Sequence, residues 1–583
     1  MQHSEGVDRS GGRMSPWWLA AAAMGLMGHG AQAFEIDTGD GDLKLRCDNT
    51  VKYSTAARVE GSSDGLTRGP NGANSDDGDR NFEKGLISNR FDLLSELDAQ
   101  YGGFGARVSA AAWYDSVYQR RNDNPGFGGG AFPNQTSVPY DQFTRATRKV
   151  HGRNAEWLDA FVFGRTELSG VRTSFRLGQH SVLWGESLFF GANAIAGGQS
   201  PVDVVKLVSV PGTPFKEAVR PVPQLSATLQ ATPSVSIGAY YQFHWAPSRV
   251  PAVGSYFAWS DNGGDGAEQI LLPQAPNGPF LDGNAPRIAD QRPSNRGQGG
   301  LQLRFRGEGT DYGLYLIRFH QKTFQVVPTL GVRSALYVPG PGCVVPGSFP
   351  TGSGGCGLVA PVNYRLAYHQ GITALGASAS HTFGDVNLAV EGSLRHNMDL
   401  ASTQGADAAA LGGPAADNAG HPAYAVGKTA HLNLSALWQL PVTPLFSEAT
   451  LAGEVAWNRV LSITKNAQAV DPNATRDAWA LRFVVEPTYR QVISGLDLGV
   501  PLGLGWAPRN SRSMALGPAA MPPAGGGDLS LGLNGGYLDV WRFSLAFTHY
   551  FGPEGTWIEN GAFSYKQTLK DRDFVAFSVR RTF

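Results

Sequence analysis

The residues best placed to do chemistry in this chain are charges gathered in and around one link. Between Gly185 and Val222 stand Glu186, Asp203, Lys206, Lys216, Glu217 and Arg220, interleaved with Phe189, Phe190, Val202, Val204, Val205 and Leu207. A freely solvated loop has no use for that apolar content, so the link near 185–222 is expected to fold inward. Trp184 leads into it, and flanking segments carry Arg90, Asp92, Glu96, Arg107, Arg172 and Arg176 at alternating positions. Facing one another across a pore, mixed charges of this kind set selectivity through local field and width. They could equally pair and plug the space, because buried charges need partners.

Other chemistries find less support. No Ser/His/Asp or paired-acid constellation is marked by spacing, so no catalytic residue is assigned and no enzyme is expected. No CxxC, HExxH or similar spacing exists, so neither a metal site nor a cofactor is expected. The acidic runs Ser75-Asp76-Asp77-Gly78-Asp79 and Asp261-Asn262-Gly263-Gly264-Asp265, with Glu268, could offer oxygens to calcium. Neither has a full ligand register, and solvated loop tips or divalent-bridged contact with lipopolysaccharide is the expectation. Cys343 and Cys356 share a Gly/Pro-rich stretch, PGPGCVVPGSFPTGSGGCG, where a loop disulfide is expected if the chain is exported. Cys47 sits at an apolar position and reads as a small hydrophobe. With a net charge of −1 and no lysine-arginine stripe, the chain is not expected to bind nucleic acid.

The elements that must position these charges are strands. From Leu43 the odd positions read Leu43, Leu45, Cys47, Val51, Tyr53, Ala57 and Val59, and the even ones Lys44, Arg46, Asp48, Lys52, Ser54 and Arg58. The pattern repeats to the C-terminus in segments of about 10 to 15 residues, the length of a tilted crossing of the hydrocarbon layer. Charged residues make up only 17% and Gly numbers 75, which suits a barrel wall better than a soluble surface. Counting predicts an all-β chain: an antiparallel transmembrane β-barrel of about 18 strands, with 16 possible because Pro487 and Pro501 fall inside strand patterns. Tight turns at Gly102-Gly103, Ser169-Gly170, Pro233, Gly309-Thr310, Gly384 and Asp539 alternate with long links. Those are expected to be periplasmic turns and external loops. Aromatic residues crowd the strand ends, as at Tyr114 and Tyr118, Tyr241 and Trp245, and Tyr550 and Phe551, and are expected to form interfacial girdles.

Residues 1–33 read as a signal peptide: Arg9 and Arg13, an apolar run from Trp17 to Met27, then Ala31-Gln32-Ala33. Gly28, His29 and Gly30 break the run before it reaches the length of a membrane anchor. Glu5 and Asp8 dilute its basic start, so translation from Met14 would export the same product. Residues 34–583 are then expected to form the barrel in a Gram-negative cell outer membrane, in contact with lipid and lipopolysaccharide.

Residues 175–260 carry LGxxxxxWGES at Leu177–Ser187, Pro201-Val202-Asp203, Lys216-Glu217 and Gly254-Ser255-Tyr256-Phe257, and DRDFVAFS begins at Asp571. These motifs resemble the bacterial outer-membrane family known as domain of unknown function 1302, over about residues 40–583. Cys47 stands where a tryptophan is expected, and the Cys343/Cys356 loop is particular to this chain. The resemblance implies an outer-membrane barrel working beside a periplasmic partner and an inner-membrane exporter of hydrophobic substrates. The terminal Phe583, after Val575, Phe577 and Val579, resembles the signal read by the barrel-assembly machinery. Together these readings predict a channel or substrate-specific transporter for small hydrophobic or amphipathic molecules, gated by the inward loop. The alternatives are a plugged docking barrel of an export complex and, further off, an outer-membrane enzyme.

Overall fold

In the computed structural model the chain is described over residues 34–583, apart from 37–41, 69–71, 127–132, 169, 210–214, 273–283, 336, 339–341, 344–347 and 352–354. The signal-peptide reading therefore lies outside the described residues. Alternation of apolar and polar residues produces the expected strands: β1 (Leu43–Arg58), β2 (Gly85–Tyr101), β3 (Phe104–Asp115), β4 (Arg153–Leu168), β5 (Val171–His180), β6 (Val222–Thr232), β7 (Val235–Gln242), β8 (Gln298–Arg306) and β9 (Thr310–Phe319). They continue with β10 (Ile372–Phe383), β11 (Val386–Asp399), β12 (Val426–Leu440), β13 (Glu448–Lys465), β14 (Asp477–Ile493), β15 (Leu496–Gly499 with Leu502–Trp506), β16 (Gly527–Tyr537), β17 (Trp541–Phe551) and β18 (Phe574–Thr582).

Each strand pairs antiparallel with its neighbours in sequence, and β18 returns to pair with β1 from Thr50↔Thr582 to Arg58↔Phe574. The result is a closed barrel of 18 strands, which leaves no wall edge exposed. Phe583 closes the seam, its N–H donating to Asn49 O at 2.8 Å while Asn49 N–H donates to Phe583 O at 2.7 Å. Below that point Phe34–Ile36 takes over as the partner of Leu45–Cys47. The prolines do not remove a strand pair. Pro487 stays in β14 opposite Ala449 and its carbonyl accepts from Val500 N–H at 2.9 Å. Pro501 interrupts β15 but accepts from Gly532 N–H at 2.8 Å.

Outward positions carry large aliphatics: Leu301, Leu314, Leu375 and Leu394 are each more than half exposed. Such a continuous apolar belt is stable only against hydrocarbon. Tyr101, Phe104, Tyr312 and Phe383 stand out beside the short turns, and Tyr114, Trp157 and Tyr241 beside the long loops. The girdle expectation needs one correction, because Tyr118, Trp245 and Tyr550 are buried. Tyr118 and Tyr550 turn into the mouth, in a core with Phe82, Phe143, Tyr256, Phe257 and Phe574, while Trp245 packs in a separate cluster with Tyr364, Leu366 and Tyr368.

In the link from β9 to β10, Gln325–Ala335 pairs with Cys356–Ala367 as a hairpin outside the barrel sheet. Cys343 and Cys356 are disulfide-bonded there, with Cα atoms 5.5 Å apart, while Cys47 is free and half-buried on the wall. Because the hairpin lies outside the wall ladder, the paired change Cys343→Ser/Cys356→Ser is expected to cost about 3 kcal/mol locally. Heat resistance of the barrel on unboiled gels should not change, while protease cleavage within residues 325–367, mapped by mass spectrometry, should rise.

Candidate functional site

The link from β5 to β6 crosses the lumen. It leaves β5 past Trp184, whose ring meets Tyr240 edge-on with centroids 5.0 Å apart. Gly185 then turns at φ +98°, where any Cβ would collide with Glu391 Oε2. That close approach begins a grip on the far wall. Glu391, on β11, accepts the backbone N–H groups of Glu186 (2.6 Å) and Ile195. Glu454, on β13, accepts those of Leu188 (3.2 Å), Phe189 and Phe190 (2.8 Å). Arg395, on β11, answers from the same wall by donating to the carbonyls of Ala192 (3.1 Å), Asn193 (2.7 Å) and Ala194 (2.8 Å). Acids hold the turn's donors and a base holds its acceptors.

Asn193 sits at the centre of the grip. Its Nδ2 donates to Asn433 Oδ1 (2.9 Å) and to the carbonyls of Leu432 and Trp457 (both 3.1 Å), and its Oδ1 accepts from Asn458 Nδ2 at 3.1 Å. His431 Nδ1 lies 2.9 Å from the same Oδ1. Asn433 Nδ2 also donates to Glu454 Oε1 at 2.7 Å. Glu391, Arg395, His431, Asn433, Glu454 and Asn458 are all at least 95% buried, so the loop meets β11–β13 without an intervening water layer. Hydrogen bonds to charged groups contribute about 1.5–3 kcal/mol each, and an abandoned buried partner costs a similar amount. Lys322 adds an anchor midway along the link, donating to Gly198 O at 2.9 Å.

The second half of the link returns along the opposite side. Asp203 N–H donates to Ala218 O (2.7 Å) and Arg220 N–H to Pro201 O (2.8 Å), closing a small excursion that carries the helical turn Val204–Ser209. Asp203 and Arg220 are held by residues outside the predicted set. Arg249 pairs with Asp203 at 2.9 Å and with Glu156, and Arg220 pairs with Glu156 at 3.0 Å. Lys206 Nζ donates to Glu217 O at 2.8 Å, and Lys216 and Glu217 are exposed. On the β2–β5 wall the predicted residues pair among themselves. Arg90 binds Asp92 at 2.6 Å, and Arg107 binds Glu96, with Asp98 at 3.4 Å and Asp159 at 3.8 Å. Arg90 and Arg249 both lie over the Trp113 ring, 5.1 and 5.4 Å from its centroid. Arg176 lies over Phe161, and Arg172 is exposed.

The structure thus brings the link inside but does not join its charges to Arg90, Asp92, Glu96, Arg107, Arg172 or Arg176 by ion pairs among the described residues. Residues two apart on one strand share a face, so the wall charges find local partners, while the loop reaches for β11–β13. The two walls differ in wetness. Side chains of Arg90, Asp92, Glu96, Arg107, Asp98 and Asp159 remain 25–34% exposed, whereas the grip on the far wall is closed.

The sequence matches the family described as protein of unknown function (DUF1302) over residues 14–583. No curated protein matches it by sequence. Among solved structures, Acinetobacter baumannii OccAB4 is similar at 8% identity and a TM-score of 0.41, over 92% of this chain and 98% of that one. The outer membrane channel DcaP of Acinetobacter baumannii matches at 8% identity and a TM-score of 0.36, over 95% of this chain and 100% of that one. Salmonella typhi OmpF, solved in complex with daunomycin, matches at 9% identity and a TM-score of 0.34, over 94% of this chain and 100% of that one.

Proposed function

The chain belongs to the DUF1302 family, and on that premise we propose that it is a solute-selective outer-membrane channel for small amphipathic molecules, narrowed by the β5–β6 loop. The observation that carries this reading is the asymmetry of the lumen. The loop is fixed to β11–β13 by two buried carboxylates and one arginine, and the charged β2–β5 wall stays partly wet. A pore displaced to one side, charged on the barrel wall and bordered by an apolar loop, suits solutes with a charged end and an apolar body. A ring of 18 strands is wide enough for such a path even with a loop inside it.

Swelling of proteoliposomes in a graded solute series tests the proposal. Small amphipathic carboxylates and amines are expected to enter faster than neutral sugars of equal size, and equal rates across the series would refute the selectivity. A second expectation concerns Arg107, the cation among Glu96, Asp98 and Asp159. Arg107→Glu removes the only guanidinium those acids bind in the described structure, so the pore should shift several-fold toward cations, read as reversal potential in a salt gradient.

A docking barrel that conducts nothing is the second reading, favoured by the aromatic core that external loops build over the mouth. It would give no swelling with any solute and would co-purify with a periplasmic partner.

A further inference from the structure

Several aspartates of the acidic runs taken from the sequence as loop tips are not solvated, although Asp265 is exposed. Asp76 and Asp77, from the β1–β2 link, and Asp261, from the β7–β8 link, are 3%, 2% and 0% exposed. One oxygen from each lies within 4.8 Å of the others. Asp77 Oδ2 accepts the N–H of Asn134, from the β3–β4 link, at 3.1 Å, and Asp261 Oδ2 accepts the N–H of Asp77 at 3.2 Å. These bonds orient the carboxylates but leave one oxygen of each unused: Oδ1 of Asp76, Asp77 and Asp261 is buried without a hydrogen-bond partner among the described residues. Asn134 Oδ1 is a fourth such oxygen, because its Nδ2 is committed to Asn74 Oδ1 (2.7 Å) and Gln269 O (3.1 Å).

The charge balance points the same way. Among the described residues around this pocket, Asp76, Asp77, Asp79, Asp261 and Asp571 outnumber Arg58, Arg80 and Arg572: Arg58 pairs with Asp79 and Asp571, Arg80 with Asp76, and Arg572 lies 3.8 Å from Asp79, which leaves Asp77 and Asp261 without an ion-pair partner among those residues. Buried charges persist only when paired or when they coordinate metal.

We propose that Asp76, Asp77 and Asp261, with Asn134, bind one calcium ion that staples three external loops together over the barrel mouth. Carboxylate and amide oxygens without nitrogen or sulfur are the ligands of a hard cation, and a cage drawn from three separate links suits calcium's tolerant geometry better than magnesium's strict octahedron. The loops joined are those between β1 and β2, β3 and β4, and β7 and β8, which also supply Phe82, Phe143 and Tyr256 to the mouth core.

The test uses the full chain refolded in detergent free of lipopolysaccharide, so that lipid-bound ions do not contribute. After EDTA treatment and buffer exchange, calorimetric titration with calcium chloride is expected to show one site per chain, and Asp77→Asn/Asp261→Asn should weaken it at least a hundredfold. Calcium should also protect the three loops of the wild-type protein from protease, and EDTA should remove that protection. Should the double variant fail to refold, Asn134→Ala serves in its place and is expected to weaken binding several-fold. No saturable calcium binding by the wild-type chain at millimolar concentration, or equal binding by the variants, would overturn the proposal.

Discussion

Glu391→Ala/Glu454→Ala is expected to raise single-channel conductance several-fold and to add rapid flicker. The two carboxylates hold the backbone N–H groups of Glu186, Leu188, Phe189, Phe190 and Ile195. Without them those donors are stranded in a dry seam, at about 1–3 kcal/mol each. Arg395 also loses the nearby negative charge of Glu391, which makes its own burial less favourable. The cheapest escape is for the loop to leave the wall, which widens the pore and lets it fluctuate. Wall ladders do not depend on these side chains, so the barrel should still fold and resist detergent on unboiled gels. Glutamine at both positions should give an intermediate effect, since an amide oxygen still accepts but without charge. Planar-bilayer recordings of the three proteins separate these outcomes, and equal conductance in all three would show that the grip does not set the pore.

The second large effect belongs to the mouth. Arg572 is 1% exposed and donates through one nitrogen to Tyr256 O and Ala258 O, both at 2.6 Å. Removing it strands both carbonyls and leaves the acids around Asp79 and Asp571 with one cation fewer. Truncating one member of a buried charged network costs about 3–5 kcal/mol. Arg572→Ala should therefore loosen the cap while leaving the wall intact. Hydrogen exchange should rise sharply in residues 72–84 and 250–268 and in the segment after β17, with the amides of β10–β13 unchanged. Uniform protection across the cap would contradict the role given to Arg572.

Much of the architecture was legible because the sheet period is two. A face that alternates as Leu43, Leu45 and Cys47 against Lys44, Arg46 and Asp48 allows one arrangement in a bilayer, and the number of such segments gives the strand count. The apolar content of the β5–β6 link was legible too, since Phe189, Phe190 and Val202 make little sense in water. What the loop holds on to was not. Glu391 and Glu186 lie 205 residues apart, and a lumen-facing glutamate on β11 looks in sequence like any other lumen charge. The one available signal was the cluster of inward polar residues on successive strands, Glu391 and Arg395, then His431 and Asn433, then Glu454 and Asn458, denser than a water-filled wall requires. Tyr118 and Trp245 were misread because, beyond a strand's last ladder bond, alternation no longer says which side a ring takes, whereas Tyr550 holds an inward position of β17 opposite Asp528. Asp76, Asp77 and Asp261 were misread for a related reason: spacing within one loop cannot reveal oxygens supplied by three.

In the proposed channel, the β5–β6 loop narrows a conducting pore. His180 and Val222 are register partners, so a two-residue turn can replace residues 181–221 without moving either strand. Single-channel conductance in a planar lipid bilayer should show a small, steady, ohmic current for the intact protein and a several-fold larger, less selective one after the replacement. An intact protein that passes no current, or the same conductance with and without the loop, would contradict the account.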